Sequence, residues 1–294
     1  MPAAAFKETA LATFDPSAAA LVFETSGTTQ GRAGRHYMES PALYDAALLA
    51  AFDRFVLSDG LRLEYLNLVA DPTQRQHSSL GYMMGRIAQE RGNGRTGWYL
   101  RDDELLLESF WHDLAQAVAA ARPVCIAATA FALVHVCDAM ARQQRRFTLP
   151  QGSRVMETGG FKGRTRTVQR AELYASISEC LGIPRECIVA EYGMTELTSQ
   201  YYCASSAGFI APPWMRTRVV GPQRTTLAPG ETGALLHVDL ANRSSCLAIQ
   251  TEDLGSNTDE GLMLHGRDPD ASLRGCSLDA EDLQRRTAQL TART

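Results

Sequence analysis

The sequence predicts an α/β fold in which a parallel-rich sheet flanked by helices is joined to a smaller β-rich lobe. Three observations carry this. Strand-like and helix-like patterns alternate from about residue 20 to residue 191, the order that builds a largely parallel sheet with helices on its faces. From about residue 214 the pattern changes to short β-like stretches cut by Gly, Pro and Asn turns. With 294 residues, 45% of them hydrophobic, the chain can bury a core large enough for one big domain or two lobes. The expected division is 1–213 for the α/β core and 214–294 for the β-rich lobe.

Each element has a local reason. The first twenty residues are alanine-rich without a clear period, and Ala20 to Glu24 then reads as a strand running into a Gly/Thr loop. Ser40 and Pro41 supply an N-cap and a first-turn proline for a helix through about Ser58. Leu63 to Ala70 is a strand. Helices are expected at 78–91 and 102–121, the second opening on Asp102, Asp103 and Glu104, acids that suit the positive end of a helix. Pro123 ends it. Strands at 124–128, 154–157 and 187–191 then alternate with helices at 130–146 and 167–181. The later β-like stretches are 216–220, 234–239, 246–250 and 262–265.

Composition narrows the function classes. A net charge of -4, with arginines scattered rather than grouped, offers no basic face for a nucleic-acid backbone. No stretch reaches the twenty or so apolar residues of a membrane span, and the N-terminus lacks a basic start followed by an apolar run, so a cytoplasmic protein is expected. Seven widely spaced cysteines with no C-x-x-C pair argue against disulfides and zinc. No G-x-S-x-G elbow and no H-E-x-x-H occur, which leaves hydrolase and zinc-peptidase readings without residues.

Two segments carry chemistry. The first is the loop Thr25-Ser26-Gly27-Thr28-Thr29, continuing through Gly31, Arg32, Gly34 and Arg35, directly after a strand. Glycines let backbone N–H groups turn toward an anion, hydroxyls add donors and arginines add charge, which together make a phosphate cradle. The same composition also suits a plain surface loop. It is neither a Walker loop nor a Rossmann G-x-G-x-x-G. The second segment is Glu191-Tyr192-Gly193-Met194-Thr195-Glu196, just past a strand, at the end of the sheet where doubly wound folds bind ligands. Tyr192 can stack on a base, Thr195 can meet a phosphate, and Glu196 can hold the magnesium that accompanies ATP. An ordinary strand exit with a solvated glutamate accounts for it equally.

TSGTT followed well downstream by YGMTE resembles the adenylate-forming superfamily of acyl- and aryl-acid ligases, and further pieces follow in that family's order. Gly159 and Gly160, in METGGFKGR, look like the loop flanking the adenine. Asp253, in QTEDLG, matches the aspartate that holds the ribose hydroxyls, with Glu252 where the family usually has glycine. Gly266-Arg267-Asp268 resembles the hinge segment whose arginine also reaches the ribose. The wording FETSGTT, ETGGFKGRTR, EYGMTELTSQYY and LRGCSL is most similar to the acyl-protein synthetases of bacterial luminescence.

That resemblance implies ATP and magnesium, a carboxylic acid substrate, an acyl-AMP intermediate and acyl transfer to a thiol, with 1–213 binding nucleotide and acid. It implies Cys276 as the acyl acceptor, although a free cysteine after a glycine more commonly just packs. Two departures stand beside it. Only 26 residues follow Asp268 and no lysine lies beyond Lys162, so the mobile C-terminal lobe with its catalytic lysine is expected to be missing, and a partner subunit or second protomer to cover that surface. Lys162, one of two lysines in the chain, is a candidate for part of the missing charge, and a solvated loop lysine is the alternative. His77 stands where the superfamily has an aromatic or histidine at the acyl site, or it caps the following helix. The other five histidines lack ligand spacing and read as structural. Two other functions stay open: an adenylating enzyme that delivers the acyl group to a separate carrier protein or amine, and a non-catalytic nucleotide-binding regulator.

Overall fold

The computed structural model describes residues 1–25, 33–159, 169–204 and 208–267. In chain order these form α1 (Ala5–Glu8), β1 (Leu21–Glu24), β2 (Arg35–Met38), α2 (Ala42–Phe55), β3 (Leu63–Ala70), α3 (Ser79–Arg91), β4 (Gly92–Arg101) and β5 (Glu104–Leu105). There follow α4 (Leu107–Ala119), β6 (Val124–Thr129), α5 (Ala130–Arg142), β7 (Arg154–Thr158), α6 (Arg170–Leu181), β8 (Ile188–Tyr192) and β9 (Tyr201–Cys203). The last four strands are β10 (Met215–Val220), β11 (Gly233–Asp239), β12 (Ala248–Thr258) and β13 (Gly261–Arg267). Among the described residues no helix is long and apolar enough to cross a membrane.

The chain divides into two compact units. Among the described residues Val56–Ala190 forms one; Met1–Phe55 with the described residues of 191–267 forms the other. The first holds the sheet order β5-β4-β3-β6-β7-β8, in which β3 pairs in parallel with both β4 and β6, and β6 with β7. This is the parallel-rich sheet expected. Its central strand LEYLNLVA is buried at every position but the last, as a strand covered on both faces must be. Leu66, Leu68, Phe110, Trp111, Leu133, Val136 and Ile177 pack into one core. Two polar groups inside it are paired: Arg122 Nε donates to Glu64 Oε2 at 2.7 Å, and Asn67 Nδ2 donates to the Gly97 carbonyl at 3.2 Å.

The second unit contains the β1–β2 antiparallel pair and the antiparallel sheet β10-β11-β12-β13, the smaller β-rich lobe expected. The N-terminus is sewn into it. The Met1 ammonium donates to the Ala248 carbonyl at 2.9 Å, and Gln250 N–H donates to the Met1 carbonyl at 2.8 Å. Compactness therefore cuts the chain at 55/56 and 190/191 rather than at 213/214, because contacts far apart in sequence decide it.

Several boundaries move, for physical reasons. The acids Asp102 and Asp103 do not open a helix. Both have positive φ, 49° and 64°, and form the tight turn between antiparallel β4 and β5, and the helix starts only at Leu107. The strand β4 itself, rich in Gly and Arg, carries no apolar alternation by which to find it. The stretch expected at 246–250 is longer, running from Ala248 to Thr258, and β2 lies where loop was expected. Ser78, not His77, caps α3: its hydroxyl accepts from Gly81 N–H at 3.1 Å.

Candidate active site

The C-terminal end of β8 and the β12–β13 pair bring three of the expected residues together. Asp253 and Arg267 stand directly opposite each other in the register of β12 and β13, and Arg267 Nε donates to Asp253 Oδ1 at 3.1 Å. Tyr192, at the end of β8, donates its hydroxyl to Asp253 Oδ2 at 2.8 Å. Asp253 is thus no turn residue. It sits in a paired strand with both carboxylate oxygens engaged, its own N–H donating to Thr251 Oγ1 at 3.1 Å. Burial and the Asp253 charge together hold the Tyr192 phenol well above its ordinary range, so the proton stays on Tyr192. Arg267 Nη1 is buried and has no hydrogen-bond partner among the described residues; the Glu252 carboxylate is 3.9 Å away. A buried guanidinium N–H without an acceptor suits a ligand that supplies one.

Behind Tyr192 stands His237, fully buried on β11. Its Nε2 is 3.3 Å from the Tyr192 hydroxyl, and its Nδ1 is 2.9 Å from both Tyr201 Oη and Thr217 Oγ1. Thr217 is its direct cross-strand partner on β10. Burial pushes the imidazole down to about 4, with the Asp253 charge opposing.

The turn that follows Tyr192 is held through its main chain. His36, fully buried on β2, donates from Nδ1 to the Thr195 carbonyl at 2.8 Å and meets Ser245 Oγ through Nε2 at 3.1 Å. Burial keeps this imidazole below its ordinary range. Asn242 Nδ2 donates to the Glu196 carbonyl at 2.8 Å. The buried Asp239 carboxylate accepts from Thr198 N–H at 3.0 Å, Ser199 Oγ at 2.8 Å and Ala241 N–H at 3.0 Å. Burial raises its pKa against those bonds. The side chains of Thr195 and Glu196 are both buried. A Cβ at Gly193 would lie 2.5 Å from Glu191 Oε1, so a larger residue there would have to displace the Glu191 carboxylate.

Thr25 closes the base of the hydroxyl-rich loop. Its N–H donates to the Gly34 carbonyl and its Oγ1 accepts from Gly34 N–H, both at 2.8 Å. The Lys7 stem packs beside it, with Cγ 3.2 Å from where a Gly34 Cβ would stand. Two residues on, His36 ties this loop base to Thr195. Ser26, Gly27, Thr28, Thr29, Gly160, Lys162 and Cys276 lie outside the described residues. Gly159 ends β7 with φ of 77°, a left-handed conformation that favours glycine, and His77 is exposed in the turn before α3; both belong to the other unit.

Neither His36 nor His237 was singled out from the sequence, because their partners are 20 to 209 positions away and no ligand spacing exists. One signal was there. In ALLHVD the inward positions of β11 are Leu235, His237 and Asp239, so two of three core-facing residues are polar.

This arrangement is set in the fold of the adenylate-forming ligases. The protein of the McyG A-PCP complex with phenylalanyl-adenylate matches with TM-score 0.62 at 17% identity, over 88% of this chain and 49% of that one. ATP-bound MatB from Rhodopseudomonas palustris matches with TM-score 0.59 at 15% identity, over 87% and 50%. The O-succinylbenzoate coenzyme A synthetase MenE from Bacillus subtilis, in complex with ATP and magnesium, matches with TM-score 0.59 at 16% identity, over 88% and 52%. Identities this low speak for the fold alone, and the chain spans about half the length of these proteins. No curated protein matches by sequence. The family model of the acyl-protein synthetase LuxE matches residues 69–278, and the chain belongs to that family.

Proposed function

We propose that this chain activates a carboxylic acid with ATP and passes the acyl group to a thiol. The observation that carries the reading is the Tyr192–Asp253–Arg267 cluster. A carboxylate oriented by two donors, beside a buried Arg267 N–H without an acceptor, fits a ligand rich in hydroxyls such as a ribose. Family membership and the fold support it.

In this reading Asp253 and Arg267 hold the ribose, Tyr192 packs toward the base, Thr195 meets phosphate with the loop Thr25 to Thr29, and the adenine-loop role that the family resemblance implies falls to Gly159 and Gly160. The acid's carboxylate oxygen attacks the α-phosphorus, the bond to the bridging oxygen breaks, and pyrophosphate leaves. The thiolate of the acceptor then attacks the acyl carbon, the bond to the AMP oxygen breaks, and a thioester forms. These residues act by positioning and charge, and no general base is assigned.

Magnesium, which accompanies ATP, would offset the phosphate charge, and Glu196 would hold it. The donor fits: magnesium asks of a protein only one or two carboxylates, phosphate and water completing its shell, and Glu196 is a carboxylate directly after Thr195. Lys162 would add charge near the carboxylate, His77 would line the acid's path, and Cys276 would accept the acyl group.

The experiment is acid-dependent pyrophosphate release over fatty, aryl and amino acids, followed by incubation with ATP and the labelled best acid. Hydroxylamine-sensitive label on the chain, lost in Cys276→Ala while pyrophosphate release persists, is the expected result. Release without label transfers the acceptor to a separate carrier or amine. No release with any acid refutes the reading.

A further inference from the structure

His237 is a buried histidine with neither nitrogen idle. Its neighbours fix which proton it carries. The Tyr192 hydroxyl has one hydrogen, and the 2.8 Å bond to Asp253 Oδ2 takes it. Tyr192 Oη can therefore only accept from His237, so Nε2 carries the hydrogen across the 3.3 Å gap. Nδ1 is then the acceptor, and the two hydroxyls that meet it, Tyr201 Oη and Thr217 Oγ1, are both able to donate. Those hydroxyls also bond to each other, so one hydrogen serves that bond and the other serves Nδ1. The result is an ordered chain with one direction: the Tyr201–Thr217 hydroxyl pair gives one hydrogen to His237, His237 donates to Tyr192, and Tyr192 to Asp253.

Every link is anchored by regular structure. Thr217 and His237 are cross-strand partners in β10 and β11, and Asp253 and Arg267 are partners in β12 and β13. The rings pack as well as bond: Tyr192 and Tyr201 lie with centroids 5.8 and 5.3 Å from the imidazole. The charged groups facing this chain are Asp253 at one end with Arg267 beyond it, and Asp239 and Arg216, of opposite sign, near Tyr201 at the other; the hydrogen-bond partners of His237 itself are neutral hydroxyls. The low imidazole pKa agrees with a neutral ring held there.

We propose that His237 is a positioning residue for nucleotide recognition: by donating to Tyr192 it aims the tyrosine proton at Asp253 Oδ2, and so fixes the carboxylate that reads the ribose hydroxyls. The proposal rests on the acid-activation reading and deepens it. His237 touches no substrate; it sets the orientation of the residue that does. An ordered carboxylate distinguishes a ribose from a 2′-deoxyribose, since a hydroxyl it is aimed at is missing from the second, whereas a carboxylate free to turn tells them apart poorly.

The test uses the full chain and two probes, ATP and 2′-deoxy-ATP, titrated by calorimetry into wild type, His237→Gln, His237→Phe and Tyr192→Phe. The Gln amide nitrogen stands where Nε2 does and keeps the donor; Phe keeps the ring and removes it. Wild type should prefer ATP by about 10-fold, His237→Gln should keep that preference within about 3-fold, and His237→Phe and Tyr192→Phe should each reduce it to about 2-fold. A merely structural histidine would lower stability without moving the ratio. Where His237→Phe does not fold, Tyr192→Phe decides alone. A wild-type preference retained in the Phe variants, or lost equally in Gln and Phe, overturns the role of His237 and leaves the parent reading standing. Wild type that binds no ATP overturns both.

Discussion

Acid should weaken the second unit through His237, and the size of the effect follows from its surroundings. Inside the fold burial pushes the imidazole pKa down to about 4, because it disfavours the charge; in the unfolded chain it returns to the ordinary value of 6.5. A group whose folded pKa is depressed contributes stability that is complete above the unfolded pKa and is lost as pH falls toward the folded one. Between the two values the unfolded chain binds the extra proton, so acid favours unfolding. From about pH 7.5 to about pH 5 the unfolded imidazole becomes almost fully protonated while the folded one stays nearly neutral, a loss of about 2 kcal/mol. Burial depresses His36 as well, and it adds in the same direction. Asp239 is shifted the opposite way, upward, and so offsets part of the loss. The assay is therefore a difference: urea unfolding of wild type and His237→Gln at both pH values, with wild type losing about 2 kcal/mol more. Parallel pH dependences in the two proteins would refute the assignment of a neutral, buried His237.

Two substitutions test the frame and the site. Gly255→Ala puts a Cβ 2.4 Å from the Met263 carbonyl and 3.1 Å from Leu235, beside the bulge that sets Asp253 opposite Arg267; it should cost about 1–3 kcal/mol in thermal or urea unfolding, and unchanged stability would mean the β12–β13 register is loose. Glu196→Gln keeps the size of a buried side chain and removes its charge; circular dichroism should be unchanged while pyrophosphate release falls by at least about 100-fold, and undiminished release would remove Glu196 from the metal site.

The parallel sheet was legible because short, mostly apolar strand-like stretches alternate with helical periods along the chain. Leu63–Ala70 was readable to the residue on that basis. What failed to show was structure made by pairing rather than by composition. GNGRTGWYLR lacks strand alternation and is a strand because it lies against β3. Asp102 and Asp103 carry the charge of a helix start, yet their backbone adopts the positive φ of a hairpin turn, to which aspartate is also suited. Charge alone does not separate those two uses.

The candidate site divides along the same line. Tyr192, Gly193, Thr195, Glu196, Asp253 and Arg267 could be picked out because each sits in a short segment whose local wording is distinctive. The groups that fix them could not. Thr195 is held at its carbonyl by His36 from 159 positions away, Tyr192 by His237 from 45 positions away, and Tyr192 in turn reaches Asp253 across 61. A residue that acts on a main-chain oxygen or on another side chain leaves no spacing, since its partner is chosen by strand register. What it does leave is a violation of the burial pattern. Leu235, His237 and Asp239 all face inward on β11, and a histidine and an aspartate at such positions each need partners to offset their desolvation. In this chain those partners are the hydroxyls of Tyr201 and Thr217 for one, and for the other the Thr198 and Ser199 donors of the turn after Tyr192 together with Ala241 N–H just past β11. The polar residues inside the β-rich lobe are thus the ones that order the segment from Tyr192 to Ser199, so the lobe that carries Asp253 and Arg267 also holds the turn that follows β8 in sequence.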